Sequence, residues 1–263
     1  MTVEVRLTDI HGVREAVQRR DVVIIVDVLR CSSTIVTALA NGALGIIPTL
    51  TVEEAKRLHE ENPEFILAGE REGLPPQGFQ MGNSPGEFTP DAVDGRYVIL
   101  TTTAGTRALI RAADAPEVFV GSLLNARAAA TAAVKAAENS GAGISIVTAG
   151  TGDGFHFSLE DYLCAGLLAW RMRGCGVQYE DRAYAALLAF RGAEKNLLSH
   201  IKMAEHAKYL ISIGLTRDVE FCSQVDITDV VPRLRMNSRF PYGVVEAHRR
   251  GTHPLINNQR RQL

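Results

Sequence analysis

Several common protein classes are excluded by what this sequence lacks. No apolar run approaches the ~20 residues that span a bilayer. The start, MTVEVRLTDIHGVREAV, has neither the basic opening nor the apolar stretch of a signal peptide, so the expected location is the cytoplasm and no membrane partner is expected. The formal net charge is −2, too small for a global field that draws in nucleic acid. The four cysteines, Cys31, Cys164, Cys175 and Cys222, are far apart and form no CxxC pair, which argues against a zinc ribbon or a disulfide framework. There is no GxxxxGK[ST], and GTGDG lacks GxGxxG spacing, so neither a P-loop nor a Rossmann fingerprint is present. No repeat or low-complexity tract occurs, and no stretch reads as a linker between domains.

What is present is 263 residues, nearly half of them apolar, enough for a full hydrophobic core. Short β-branched runs alternate with longer helical patterns. Strands are expected at Val22 to Val28, Phe65 to Ala68, Tyr97 to Leu100, Val118 to Val120 and Ile144 to Val147. Helices are expected at Val52 to Glu61, Ala104 to Ala113, Asn125 to Asn139, Leu159 to Arg173 and Lys195 to Leu210. This alternation predicts an α/β fold with a mostly parallel sheet and helices on both faces, in a single domain over 1–263. Gly69 to Pro90 breaks the rhythm, and a loop this long directly after a strand reads as functional. The terminal NNQRRQL is expected to fray.

In such sheets ligands bind beyond the carboxyl ends of the strands. The first apolar strand runs into Asp27, then Arg30, Cys31, Ser32, Ser33 and Thr34 at a helix start. A carboxylate there needs a cation or hydrogen bonds. The hydroxyls and free N–H groups of the turn would cradle an anion, with Arg30 as a planar cationic fork. The plainer alternative is an Asp27–Arg30 ion pair with Ser32 or Ser33 capping the helix. Glu70 and Arg71 follow the next strand, and Thr101, Thr102, Thr103, Gly105, Thr106 and Arg107 form a second hydroxyl-rich turn. Ser158 and Asp161 fit a capping box, with Glu160 beside them. Glu53 and Glu54 after Thr51 read as capping residues. His200 and His206 lie off one helical face and read as surface or core residues. Cys31 has no arginine in the turn that follows it, and Leu29 stands where a phosphoaspartate mechanism would place a second acid, so neither covalent route is supported. Carboxylates at three strand ends, with hydroxyls and arginines around them, suit Mg²⁺ completed by substrate phosphate oxygens. This chemistry points to a metal-assisted phosphate-ester hydrolase or phosphotransferase.

The segments VIIVDVLRCSSTI, AGEREGLPPQGFQMGNSPGEF, LTTTAGTRAL, GSLLNA, FSLEDYLCAG and DVEFCSQVDITDVVP together resemble the 2-phosphosulfolactate phosphatase family over nearly the whole chain. The resemblance implies an α/β/α sandwich and an Mg²⁺-dependent acid phosphatase. Such enzymes convert 2-phosphosulfolactate to 3-sulfolactate in coenzyme M biosynthesis, and the family also takes other phosphorylated 2-hydroxy acids. The matching positions are Asp27, Arg30, Ser32, Ser33 and Thr34; Glu70, Arg71, Gly82, Asn83 and Ser84; Thr101, Thr102, Thr103, Gly105 and Thr106; and Ser158, Glu160 and Asp161. Departures from the family pattern include Cys31 for alanine, Ala104 for asparagine, Glu72 for glycine and Asp153 in a turn that is often basic. The expected roles are Asp27 and Glu70 as Mg²⁺ ligands or water activators, with Glu160 or Asp161 completing the shell. Arg30, Arg71 and Arg107 would hold the anionic groups, while Asn83, Ser84 and the two hydroxyl turns would bind substrate. A non-catalytic binder of an anionic metabolite and a lyase acting on a phospho-acid are the competing readings; a homodimer is the base-rate expectation.

Overall fold

Val22, Ile24 and Val26 pack into one hydrophobic cluster, and Val23 and Ile25 into another. A strand buried on both faces in this way requires covering layers above and below it. The computed structural model describes residues 2–152 and 154–247; Asp153 and the NNQRRQL tail lie outside them. The fold is α/β, a three-layer α/β/α sandwich around one mixed, mostly parallel sheet.

The ten strands are β1 (Val3–Asp9), β2 (Val22–Val26), β3 (Gly45–Thr49), β4 (Ile66–Gly69), β5 (Tyr97–Thr101), β6 (Glu117–Gly121), β7 (Ile144–Thr148), β8 (Val177–Tyr179), β9 (Pro232–Arg235) and β10 (Val244–Ala247). Their order is β4-β5-β3-β10-β9-β6-β2-β7-β1-β8. Two parallel blocks, β4-β5-β3 and β6-β2-β7-β1-β8, are joined by the antiparallel β9–β10 pair. The junctions are antiparallel too, through Phe119 opposite Arg233 and Val245 opposite Ile46.

Three reversals in succession set the two blocks in opposite sense. Twist accumulates at roughly 20–25° per strand, so the five steps from β2 to β5 rotate the direction by about 100–125°. Twist on that scale turns the carboxyl ends of β2 and β5 away from direct opposition. This lets loops from both blocks converge on one pocket.

The helices are α1 (Val13–Gln18), α2 (Cys31–Ala40), α3 (Val52–Glu61), α4 (Pro90–Val93), α5 (Gly105–Arg111), α6 (Ala126–Ser140), α7 (Leu159–Met172), α8 (Asp181–Ala193), α9 (Leu197–Lys202), α10 (Glu205–Ser212) and α11 (Thr216–Cys222). α6, α7 and α8 supply Ala130, Leu167 and Phe190 to the first face, and α1, α2 and α5 supply Val13, Ile35 and Leu109 to the second. α3 contributes Ala55 to a third, smaller cluster with Ile47, Leu67 and Ile99. Its start is fixed by Thr51, whose hydroxyl accepts from Glu54 N at 3.0 Å.

The five expected strands all form, within a residue or two at their ends. The expected helix over Lys195 to Leu210 is interrupted. Met203 N and Ala204 N turn back to His200 and Ile201 carbonyls, and the chain restarts as α10 at Glu205. Among the described residues no helix is long and apolar enough to cross a membrane.

Candidate active site

A pocket of about 190 Å³ opens where the segments after β2, β4, β5 and β7 meet α10. Its walls include Asp27, Arg30, Glu70, Asn83, Thr103 and His206.

Asp27 directly follows β2, and its backbone carbonyl accepts from Ser32 N at 2.8 Å. That closes the tight turn into α2, a helix buried at every position. The Asp27 carboxylate accepts from Cys31 N at 3.2 Å, satisfying one orphan donor at the helix start. The group is otherwise poorly compensated. Burial pushes its carboxyl up to about 7; the Cys31 N–H pulls the other way, while Glu70 and Glu160 push it further up and Arg30 pulls it down. Glu160 is 1% exposed, and its Oε2 has no hydrogen-bond partner among the described residues. Its carboxyl is raised, chiefly by burial. Asp161 is raised well above the usual range by burial, with Asp27 and Glu160 adding to it. Its two oxygens accept from Val28 N at 2.8 Å and Gly150 N at 3.1 Å, so it ties the β2 turn to the glycine turn after β7. The Ser158 hydroxyl caps α7 through Asp161 N at 3.2 Å, while the Asp161 carboxylate faces away from that cap toward β2.

Glu70 performs a similar bridging task on the other block. Its oxygens accept from Thr103 N at 2.8 Å and Gly73 N at 3.0 Å. Gly69 before it has φ +152°, and a Cβ there would sit 2.2 Å from the Thr101 carbonyl, so only glycine allows this approach to β5.

The Asp27–Arg30 ion pair weighed from sequence is replaced by another. Arg30 Nη1 donates to Asp218 Oδ2 at 2.7 Å and to Ser84 Oγ at 2.9 Å, and Nη2 donates to the Gly73 carbonyl at 2.6 Å. Ser84 Oγ also donates to Asp218, at 2.6 Å. Arg30 therefore reaches the pocket as a guanidinium held rigid from behind. Asp218 lies within one of the family-like segments, but no local pattern singled it out.

The hydroxyl turns are engaged inward. Ser32 Oγ accepts from Asp27 N at 2.9 Å; Ser33 Oγ donates to Val28 O at 2.8 Å and pairs with Ser122 Oγ; Thr34 Oγ1 donates to Asn83 O at 2.8 Å. Thr102 and Thr106 lock one another, each backbone N–H donating to the other's hydroxyl at 3.1 Å. Arg71 donates to Thr101 Oγ1 at 3.0 Å and to the Leu50 and Glu70 carbonyls. None of these side chains, nor Arg107, lines the pocket. They shape the turns that carry Asp27, Asn83 and Thr103 to it. The reason is burial: a hydroxyl at 0–1% exposure must bond within the protein.

Asn83 is 3% exposed and lines the pocket with its Oδ1 unpartnered among the described residues. Sequence reasoning missed His206 and Tyr209, which come from α10. Cys31 is buried with its thiol raised well above the usual range, by burial and then by Asp27, which keeps it protonated and unreactive.

Gly105 sits against this centre. A Cβ there would lie 2.5 Å from Asp27 Oδ2 and 2.5 Å from Cys31 Cβ. Gly105→Ala is therefore expected to displace Asp27, lowering kcat about 10- to 100-fold and stability by about 1–3 kcal/mol. Steady-state kinetics and thermal melts of the variant check both.

Among the described residues, no three acidic, histidine or cysteine side chains converge closely enough to cage an ion by themselves. Mg²⁺ needs only one or two protein carboxylates, because water and phosphate oxygens fill its remaining positions. The unpartnered Glu160 oxygen, and the push that Glu70 and Glu160 exert on the Asp27 carboxyl, fit such a cation.

A family model described as 2-phosphosulpholactate phosphatase matches residues 10–237. A Thermotoga maritima protein named probable 2-phosphosulfolactate phosphatase is 40% identical over 211 residues, 80% of this chain and 88% of that protein. Proteins of the same name from Caldanaerobacter subterraneus and Clostridium acetobutylicum are 39% identical over 216 residues and 36% over 226. The first match covers 81% of this chain and 87% of its relative, the second 84% and 92%.

Proposed function

The chain belongs to the 2-phosphosulfolactate phosphatase family, and from that premise we propose that it hydrolyses the phosphate ester of a small 2-hydroxy acid, with 2-phosphosulfolactate as the first candidate and Mg²⁺ as cofactor. The observation that carries this reading is Asp27, a buried carboxyl pushed up to about 7, facing a small pocket beside the fixed guanidinium of Arg30.

In this reading Arg30 binds a phosphoryl oxygen, and its bonds to Asp218, Ser84 and Gly73 O fix where it does so. Asn83 adds a side-chain amide to the same wall. Asp27 takes a proton from the attacking water. A carboxyl that titrates near 7 suits this, because a base is most effective when its pKa lies near the working pH. The water oxygen bonds to phosphorus, the ester P–O bond breaks, and the released 2-oxygen takes up the proton that Asp27 removed, which regenerates the base. One or both of Glu70 and Glu160, each close enough to Asp27 to push its carboxyl up, would hold Mg²⁺ beside that base. When bound, the ion offsets charge on the phosphoryl group and on the leaving oxygen.

The test is phosphate release from 2-phosphosulfolactate and 2-phospholactate by purified protein with Mg²⁺. Turnover that EDTA abolishes and excess Mg²⁺ restores is the expected result. No release from either ester, with or without Mg²⁺, overturns the proposal.

A further inference from the structure

The pocket has an imbalance of charge. Three carboxylates line it, Asp27, Glu70 and Glu72, and among its described lining residues Arg30 and His206 are the only basic groups. Arg30 already spends three of its five N–H donors on Asp218, Ser84 and the Gly73 carbonyl, and the other two serve the phosphoryl group in the reading above. The two further arginines expected at the site from sequence do not line it. A substrate with an acid group in addition to its phosphate therefore meets one remaining basic side chain, His206.

The ring is oriented for that task. Its Nε2 lies 3.0 Å from the Leu29 carbonyl. A carbonyl can only accept, so Nε2 carries a proton and donates it. Nδ1 makes no hydrogen bond to the described residues and is the ring's one polar atom open to a ligand. Tyr209, one helical turn on, is stacked at 6.2 Å between ring centroids, and its hydroxyl donates to Glu72 O at 2.9 Å. That contact holds the ring's outer face and joins α10 to the loop after β4. Burial, opposed by the Leu29 carbonyl and Glu70, holds the imidazole below its ordinary value; an anion placed opposite Nδ1 shifts it back toward the protonated form, and Nδ1–H then donates to it.

We propose that His206 is a specificity-determining residue that receives the acid group on the organic part of the substrate through Nδ1. This rests on the phosphatase reading above and extends it to the substrate's other end.

Two near-isosteres separate this role from a structural one. A glutamine amide reaches the place of Nε2 and can keep the Leu29 bond; an asparagine amide reaches the place of Nδ1 and can keep the pocket donor. Each variant is assayed with 2-phospholactate, which carries a carboxylate, and with phenyl phosphate, which carries no second acid. His206→Gln is expected to raise KM for 2-phospholactate about 10- to 100-fold, the worth of one hydrogen bond to a charged group. Its KM for phenyl phosphate should stay within about twofold, and His206→Asn should recover most of the 2-phospholactate affinity. The reverse pattern, with His206→Gln like wild type and His206→Asn impaired on both esters, overturns the inference and leaves the phosphatase reading standing. Wild-type protein that hydrolyses phenyl phosphate but no phosphorylated 2-hydroxy acid overturns the substrate reading and the inference with it.

Discussion

Asp27→Asn is expected to yield a protein that is nearly inactive and yet harder to unfold. The amide cannot take a proton from water, so kcat should fall roughly 100- to 10,000-fold, the usual contribution of a positioned general base. Stability should move the other way. Burial first, then Glu70 and Glu160, raise the Asp27 carboxyl from 3.8 to about 7 in the folded protein. A carboxyl raised in this way contributes no penalty below its unfolded value, where it is protonated in both states. As pH climbs through the folded value, the native state must ionise a buried group, and stability is lost. The full difference corresponds to roughly 4 kcal/mol above pH 7. In EDTA, the melting temperature of Asp27→Asn should therefore exceed that of wild type at pH 8, and the gain should vanish near pH 3.5. Equal melting curves at pH 8 would show that Asp27 is not held in an unfavourable ionised state. Activity maintained at the cost of stability is a familiar mark of catalytic groups.

Arg30→Ala is expected to produce the second large effect, through the residue behind it. Among the described residues Asp218 would keep only Ser84 as a side-chain partner, and removal of one member of a buried ion pair typically costs about 3–5 kcal/mol. Phosphate affinity should fall as well. Adding Asp218→Asn to Arg30→Ala removes the stranded charge, so the double variant should melt above Arg30→Ala alone while staying inactive. Arg30→Lys should not restore activity, because one ammonium cannot reach Ser84, Asp218 and Gly73 O in the same plane. Denaturant titrations and initial rates on the three variants decide it. A double variant no more stable than Arg30→Ala would dissociate the Asp218 charge from the loss.

These two predictions also mark what the sequence made legible. Asp27 was conspicuous because a carboxylate directly after VVIIV needs a cation or hydrogen bonds, although an Arg30 ion pair offered a plain alternative. Glu70 was readable as a carboxylate at a strand end and the Gly/Pro-rich segment after it as functional, while Asn83 was singled out only by the family resemblance. Ser32, Ser33, Thr34, Thr102 and Thr106 pointed to the turns that meet at the pocket, but their hydroxyls bond within the protein instead of lining it. A hydroxyl-rich turn has the same composition whether its hydroxyls face a ligand or close on their own backbone, and only burial separates the cases. His206, Tyr209 and Asp218 had no local signal. They sit on short helices late in the chain, and tertiary packing alone brings them beside Arg30. The mostly parallel character of the sheet was legible, but not where its antiparallel part lies. Period and composition revealed strands and helices, but the reversal through β9 and β10 depends on pairings between residues more than a hundred positions apart.

The β9–β10 pair has a consequence for how the molecule comes into being. A ribosome delivers both parallel blocks long before it delivers Pro232–Ala247, the stretch that stitches them together at mid-sheet. Until then β3 and β6 are bare edges, each able to recruit a strand from a neighbouring nascent chain. Asp27 belongs to one block and Glu70 to the other, so the incomplete polypeptide holds the two halves of its chemistry on unconnected sheets. Pro232–Ala247 thus both seals those edges and joins the two parallel blocks that carry the carboxylates, and a chain lacking it has reason to aggregate rather than to turn over substrate.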